Sequence, residues 1–282
     1  MEKFQLVQPS KLLRPYVKQY WFLAIDNAER SSQRYVPSGC AVLAFHRGDK
    51  IYSTLHQEMQ PRSCLCGQSV SYTDVVYSGN LNLVMVVFQP VAARVVLGIP
   101  MNNLRDKNVD VELLGDASLI ELEKWIMETE DNNQCVYLIE QYLLKKLYGF
   151  TSERFARMNA VVQSINNGQQ DITELSQSAC LGYKQFKRVF AEYTGLNPKE
   201  FLQIARFRNA LHCLHAGSQI RLNQLAYDWG YCDKSHLIKD FKTFMGYTPK
   251  EYLSICDSYS EYLSLFNFVF INGERETKSN GL

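Results

Sequence analysis

The sequence predicts an α+β multidomain protein: a β-rich N-terminal domain, then an all-α domain with two helix-turn-helix units joined by a long helix. Three observations carry that prediction. Aliphatic runs closed by turn residues dominate residues 1–116. Apolar residues spaced by three and four take over after residue 117. Near the end, TGLNPKEFL (194–202) returns as MGYTPKEYL (245–253), with five of nine positions identical at a shift of 51.

The β-rich part rests on two runs. GCAVLAFHRGD (39–49) is apolar until the turn signal Arg47-Gly48-Asp49, and LNLVMVVFQP (81–90) is stopped by Pro90. These predict a sheet or barrel-like domain, with short helices near 11–20 and 91–97. Tyr20, Trp21, Phe22, Arg34, Tyr35, Phe45 and His46 supply aromatic walls and a few polar groups. A small-molecule pocket needs that mixture, although the same residues would equally make an ordinary core. Trp21 and Arg34 are the expected ligand-lining residues. Phe45 and His46 must point to opposite faces of their strand, so one of them cannot line the pocket.

Residues 117–150 read as a helical linker. Val136, Ile139, Leu143 and Leu147 form one stripe, and Gly149 ends the helix before another begins near Glu153. The stripe must be covered, either by the sheet or by a second copy in a homodimer.

Residues 151–256 read as short helices. Asp171-Ile-Thr-Glu174 predicts a capping box, with Asp171 as N-cap and Glu174 reaching back. After Pro198, the residues Phe201, Ile204, Phe207, Leu211 and Leu214 form the stripe of a longer helix. Asn167-Gly168 and Ala216-Gly217 are stop signals. The repeat extends well beyond its nine residues. Ile172, Leu175, Phe186, Phe190, Gly195, Pro198 and Phe201 correspond to Leu222, Leu225, Leu237, Phe241, Gly246, Pro249 and Tyr252. Each copy is a short helix, a tight turn, a second helix and a Gly-x-x-Pro stop, the helix-turn-helix order. A solenoid would need three or more copies. Opposite its apolar face, the first unit's second helix presents Lys184, Gln185, Lys187 and Arg188. The second unit's presents Lys234, Ser235, His236 and Lys239. Such side chains suit base edges and phosphates, although an exposed basic face can also be merely solvated. A C-terminal tail, 257–282, begins with the aromatic patch YLSLFNFVF (262–270) and ends polar.

Composition narrows the function classes. The 282 residues carry a formal net charge of +1, but residues 151–256 hold 13 Lys/Arg against 9 Asp/Glu, a net of +4. That asymmetry permits a polyanionic partner without requiring one. The start, MEKFQLVQPSK, has no apolar core of a secretory signal, and LVMVVF (83–88) is too short to span a bilayer. The eight cysteines are scattered, which predicts reduced thiols in a cytoplasmic protein. Cys64 and Cys66 read as strand neighbours on one side, with a redox switch as the sharper alternative. His212, Cys213 and His215 lack further ligands for a metal. No phosphate loop, catalytic triad order or paired carboxylates stand out, so neither an enzyme nor a cofactor is expected.

LGYKQFKRVFAEYTGLNPKEFL (181–202) and DWGYCDKSHLIKDFKTFMGYTPKEYL (228–253) resemble the DNA-binding domain of AraC/XylS transcriptional regulators. The resemblance spans residues ~155–256 and implies two helix-turn-helix units on a joining helix, here roughly Lys199–Ala216. It implies base-reading positions at Lys184, Lys187 and Arg188, and at Ser235, His236 and Lys239. It also implies double-stranded DNA as partner and RNA polymerase as a further one. Two departures stand out: Cys180 where glycine is usual in the first turn, and Gly182 instead of serine at the first N-cap. LRPYVKQYWFL (13–23), VPSG (36–39) and VVFQPVAARVVLGIP (86–100) are similar to the N-terminal domain of some bacterial AraC-type regulators. That similarity implies a sensor for a small-molecule effector or a dimerisation module. The alternative is an interaction protein with a vestigial DNA surface, against which the Lys187-Arg188 pair argues.

Overall fold

Two long strands set the N-terminal architecture. β2 (Val17–Tyr35) and β7 (Thr73–Phe88) pair antiparallel along almost their whole length, with register shifts between Val17 and Ser31. The computed structural model describes residues 2–216, 221–255 and 268–269. The shorter strands are β1 (Glu2–Val7), β3 (Val42–His46), β4 (Tyr52–Ser53), β5 (Glu58–Met59), β6 (Ser63–Cys66) and β8 (Asn108–Asp110). Their order is β1-β2-β7-β3-β6-β8, with β4 and β5 paired beside β7. β9 (Phe268–Val269) pairs with β2 at Arg34 and Tyr35. Among the described residues β1 and β8 do not pair with each other, so the barrel-like expectation resolves to an open sheet.

The expected helix over 11–20 is absent. Residues 11–16 are turns and Val17 already begins β2. Pro15 interrupts any helix there, and Val17, Tyr20, Trp21 and Phe22 suit a strand buried on both faces. Tyr20 and Phe22 join the core under the helices, while Trp21 and Leu23 join the core on the opposite face. The expected helix at 91–97 is α1 (Ala92–Leu97).

Strand alternation likewise divides β3. Leu43 and Phe45 face one core with Val84, Val86 and Phe88, whereas Val42 and Ala44 face the other with Leu83 and Met85. The first of these cores is closed by α2 (Ala117–Glu128) and α3 (Asn132–Leu147). The α3 stripe is therefore covered by the sheet: Ile139 and Leu143 are fully buried, with Val136 and Leu147 packed beside them. The dimer-seam alternative loses its stripe. Asp131 caps α3, and Asp116 caps α2 through Ser118 and Leu119.

The C-terminal helices repeat as the duplicated sequence requires. After α4 (Glu153–Asn166) come α5 (Ile172–Ser178), α6 (Tyr183–Thr194) and α7 (Pro198–Ala216), then α8 (Leu222–Asp228), α9 (Lys234–Met245) and α10 (Pro249–Ile255). Gly195 and Gly246 end α6 and α9 in left-handed conformations, with φ of 83° and 80°. Pro198 and Pro249 then start the next helices. The α7 stripe holds both units. Phe201 meets Phe190 of α6 edge-on at 5.4 Å, and Phe207 meets Phe241 and Phe244 of α9 at 5.1 and 5.2 Å.

The repeated NPKE and TPKE are capping boxes. Asn197 Oδ1 accepts from the Lys199 and Glu200 amides, and Glu200 Oε2 accepts from the Asn197 amide at 3.0 Å. Thr248 and Glu251 make the same reciprocal pair. The box expected at Asp171 is only half formed. Asp171 caps Thr173 and Glu174, but its own amide donates to Gln169 Oε1 at 2.8 Å while Glu174 binds Gln169 Nε2.

Candidate DNA-binding surface and interior cavity

The second helix of each unit presents the face that its sequence pattern predicts. On α6, Phe186, Val189 and Phe190 are buried while Lys184, Gln185, Lys187 and Arg188 are exposed. On α9, Leu237 and Phe241 are buried while Lys234, Ser235 and Lys239 are exposed. His236 is half-buried, its ring edge-on to Tyr231 at 5.2 Å, and its amide is capped by Asp233 at 2.7 Å. All eight positions thus lie on the two helices, with His236 partly committed to packing. Sequence reading missed Tyr183. It is exposed at the start of α6, with the Lys187 ammonium 5.6 Å from its ring centre. An exposed aromatic beside the lysines was the available signal.

The turns differ as the sequence departures imply. Cys180 has φ of 53° and Gly230, its counterpart, 69°, so both turns need a left-handed residue and only the second supplies glycine. Gly182 caps α6 with no side-chain hydrogen bond, whereas Asp233 caps α9. Behind α9, the buried Asp240 lies beside Tyr231, His236 and Arg206. Burial pushes its carboxyl above the usual range, against the opposing influence of Arg206, of the Tyr231 hydroxyl and of the other polar groups around it.

The N-terminal domain contacts both units through polar groups of its sheet, of α1 and of its loops. Arg34 pairs with Asp74 at 2.6 Å through both Nε and Nη2. Its Nη1 donates to the Met245 carbonyl at 3.0 Å, and the guanidinium lies over Tyr72 and Tyr247. Toward the first unit, Arg94 pairs with Glu192 at 3.0 Å and Arg105 with Glu200 at 2.8 Å. Arg208 of α7 donates to the Ser38 carbonyl at 3.1 Å. These contacts leave the exposed faces of α6 and α9 uncovered.

A cavity of about 120 Å³ opens on the face of β3 and β7 away from α2 and α3. Val42, Ala44, Leu83 and Met85 are part of its apolar wall, and His46, His56, Gln60, Gln68 and Thr73 are among its polar groups. Neither Trp21 nor Arg34, the residues expected to line a ligand site, lines this cavity. Trp21 packs edge-on to Phe4 at 5.3 Å, and Arg34 is taken up by Asp74 and the second helix-turn-helix unit. His46 does line the cavity and Phe45 turns away, as alternation requires. Cys64 and Cys66 share one strand, with their Sγ atoms 3.7 Å apart. The hydrogen bond to Cys66, and burial after it, push the Cys64 thiol well up, which makes it a poor nucleophile. Among the described residues no three His, Cys, Asp or Glu side chains are arranged to hold a metal, and no helix is long and apolar enough to cross a membrane. The side chain of His215 lies outside the described residues.

Residues 175–255 match the model of a helix-turn-helix domain family. This part of the chain is an AraC-type helix-turn-helix domain. Residues 5–110, ahead of the AraC-type domain, match a domain of unknown function, DUF6597. An uncharacterized HTH-type transcriptional regulator of Haemophilus influenzae is 25% identical over 135 residues, covering 46% of this chain and 45% of its own length. The chain thus spans under half of that relative. ToxT from Vibrio cholerae aligns over 89% of this chain and 98% of its own, with a TM-score of 0.45 and 12% identity. The AraC-like activator CuxR aligns over 74% and 86%, with a TM-score of 0.28 and 8% identity.

Proposed function

We propose that this AraC-type protein is a sequence-specific DNA-binding transcriptional regulator. Its α6 and α9 read two adjacent major-groove segments, and its N-terminal domain controls how they are presented. The observation that carries the reading is the pair of second helices fixed on α7, each with an uncovered face of donors. Arg188 is the base reader by chemistry, because its planar fork matches two acceptors on guanine. The lysines neutralise phosphates and set register. Control runs through Arg34 of the sheet and through Arg94 and Arg105 of the helical segments beside it, which tie the N-terminal domain to both units. RNA polymerase is the further partner that such a regulator meets at a promoter.

The test is selection from a pool of random duplexes with the full chain, followed by anisotropy on the recovered sequence. A recovered motif with two recognised segments supports the proposal. If no sequence is enriched over competitor DNA, the interaction-protein reading replaces it.

A further inference from the structure

The two helix-turn-helix units differ at one buried place. Beneath α6 the first unit packs Leu181 and Val189 into its apolar core. Their counterparts in the second unit are Tyr231 and Asp240, both buried. The backbone confirms the first match, since the Leu181 amide donates to the Ser176 carbonyl and the Tyr231 amide to the Ala226 carbonyl. Val189 and Asp240 match because each directly precedes the buried phenylalanine of its helix, Phe190 or Phe241. At the reading position where α6 has Gln185, α9 has His236.

These exchanges build a polar cluster behind α9. Arg206 on α7 donates to the Gly230 carbonyl at 3.2 Å, and its guanidinium carbon lies 5.2 Å from the Tyr231 ring centre. The His236 ring meets the same tyrosine edge-on at 5.2 Å. Asp240 follows His236 by one helical turn of α9. The Tyr231 hydroxyl faces Asp240 without closing a hydrogen bond to it. Asp240 Oδ2, Tyr231 Oη and Arg206 Nε all lack a hydrogen-bond partner among the described residues.

A buried carboxylate is not the stable choice at this position. Apolar side chains serve the first unit, and exchanging buried charges for apolar residues is commonly neutral or stabilising. A negative charge one turn behind a reading position also opposes the phosphates of DNA. A proton on His236 answers both. From this arrangement we infer that Asp240 is a positioning residue for DNA reading: it holds His236 as an imidazolium when α9 docks, so the second unit takes up a proton as it binds its segment. The inference rests on the proposal that α6 and α9 read DNA.

The other groups around the cluster leave this role to His236. Arg206 is permanently charged and already turned to Gly230 and Tyr231. Burial, first, holds the Tyr231 hydroxyl protonated far above neutral pH. Lys239 is exposed, and Asp233 is spent on capping the His236 amide. On α8, Tyr227 is exposed and Asp228 accepts from Gln224. Imidazole ordinarily titrates near neutral pH, and its charged form donates from both ring nitrogens. One N–H then faces the Asp240 carboxylate while the other faces a phosphate or a base acceptor. Gln185 has no such proton to gain, so only the second segment should be read in a pH-dependent way.

The experiment is anisotropy of the full chain on its selected duplex at pH 6, 7 and 8 and constant ionic strength. Wild-type affinity should rise roughly fivefold from pH 8 to pH 6, the effect of raising one imidazole by about one unit on docking. His236→Gln and Asp240→Val copy Gln185 and Val189 of the first unit, and each should flatten that dependence. A merely structural Asp240 would lower affinity by the same factor at every pH. Arg188→Ala, in the first unit, should bind more weakly yet keep the slope. If Asp240→Val does not melt cooperatively, Asp240→Asn is read in its place. Specific binding that is flat with pH, or a slope that survives either second-unit substitution, overturns the inference and leaves DNA reading intact. No specific binding at any pH overturns both.

Discussion

Arg34 on β2 and Met245 at the end of α9 are 211 residues apart in sequence, yet the Arg34 guanidinium donates to the Met245 carbonyl at 3.0 Å. The carbonyl is one of the last in α9, where helix oxygens lack intrahelical partners and favour a cation. Asp74 fixes the other edge of the same guanidinium, whose Cζ lies 4.0 Å from the Tyr72 ring centre and 4.9 Å from that of Tyr247. The N-terminal sheet thus supplies the C-terminal cap of α9.

Arg34→Ala should therefore loosen the second unit more than the first. A charge-assisted hydrogen bond and its ring contacts contribute about 1–3 kcal/mol together. Hydrogen exchange of the full-length variant should show faster exchange over 234–255, with 172–194 little changed. Equal protection of both units in wild type and variant would remove Arg34 as a latch.

DNA reading makes a separate claim about Arg188. Arg188→Ala should weaken binding to the selected site by ~1–3 kcal/mol and relax preference at one base pair. Lys187→Ala should instead weaken all sequences alike and reduce the salt slope by about one. Anisotropy on a set of single-base variants separates the two roles. An unchanged base preference in Arg188→Ala would rule it out as a reader.

The first turn holds a stability prediction. Cys180 has φ of 53°, a conformation that costs a non-glycine residue roughly 1–2 kcal/mol. Cys180→Gly relieves that strain but frees the unfolded chain, so the net gain should be about 0.5–1 kcal/mol. Gly230→Ala should move the other way, since φ is 69° and its Cβ would meet the Gln170 side chain. Urea midpoints of the two variants decide this, and a destabilised Cys180→Gly contradicts it.

How much of this was legible in the sequence depended on distance along the chain. Helix stripes, the glycine stops and the duplicated units all lie within about fifty residues, so local spacing reports them. The NPKE and TPKE capping boxes were also there to be read, but Pro198 and Pro249 drew the reading toward a stop signal. The cavity was not legible. Its lining comes from β3, β7 and segments far apart along the chain, which no local pattern encodes. Trp21 and Arg34 looked like pocket residues because their chemistry fits one. Trp21 is consumed by Phe4 and its core, and Arg34 by a helix end far along the chain. The helix expected over 11–20 failed because aromatic residues facing alternate sides of a doubly buried strand leave no polar stripe.

His46 gives a pH dependence. Its folded-state pKa is depressed from 6.5 to about 4, chiefly by burial, with Lys50 adding to the effect and Gln60 opposing it. Above the ordinary pKa the ring is neutral in both states and the stability is fully present. Between 6.5 and about 4 the unfolded chain binds the proton and the folded chain does not, so stability falls as pH falls. The loss is on the order of 3 kcal/mol. Urea midpoints at pH 7 and pH 4.5 should fall steeply in wild type and less in His46→Leu. Parallel slopes would mean that His46 is not the titrating group.

The last prediction concerns the geometry of DNA reading. Phe201 locks α7 to α6 through Phe190, and Phe207 locks it to α9 through Phe241 and Phe244, so one helix fixes the spacing of two readers. Readers on one face of a duplex engage segments about one turn apart, ~34 Å or 10 base pairs. Inserting five base pairs between the segments rotates one to the opposite face, and the rigid pair should lose most of its specific affinity. Inserting ten restores the face but stretches the span, so affinity should stay low as well. A long, flexible connection would instead recover with ten. Leu211→Asp, which puts a charge into the buried stripe of α7, should lose affinity on the natural spacing while each unit keeps its exposed donors. The same anisotropy assay reads all three. Affinity that survives the five-pair insertion would show that α6 and α9 do not read one site together.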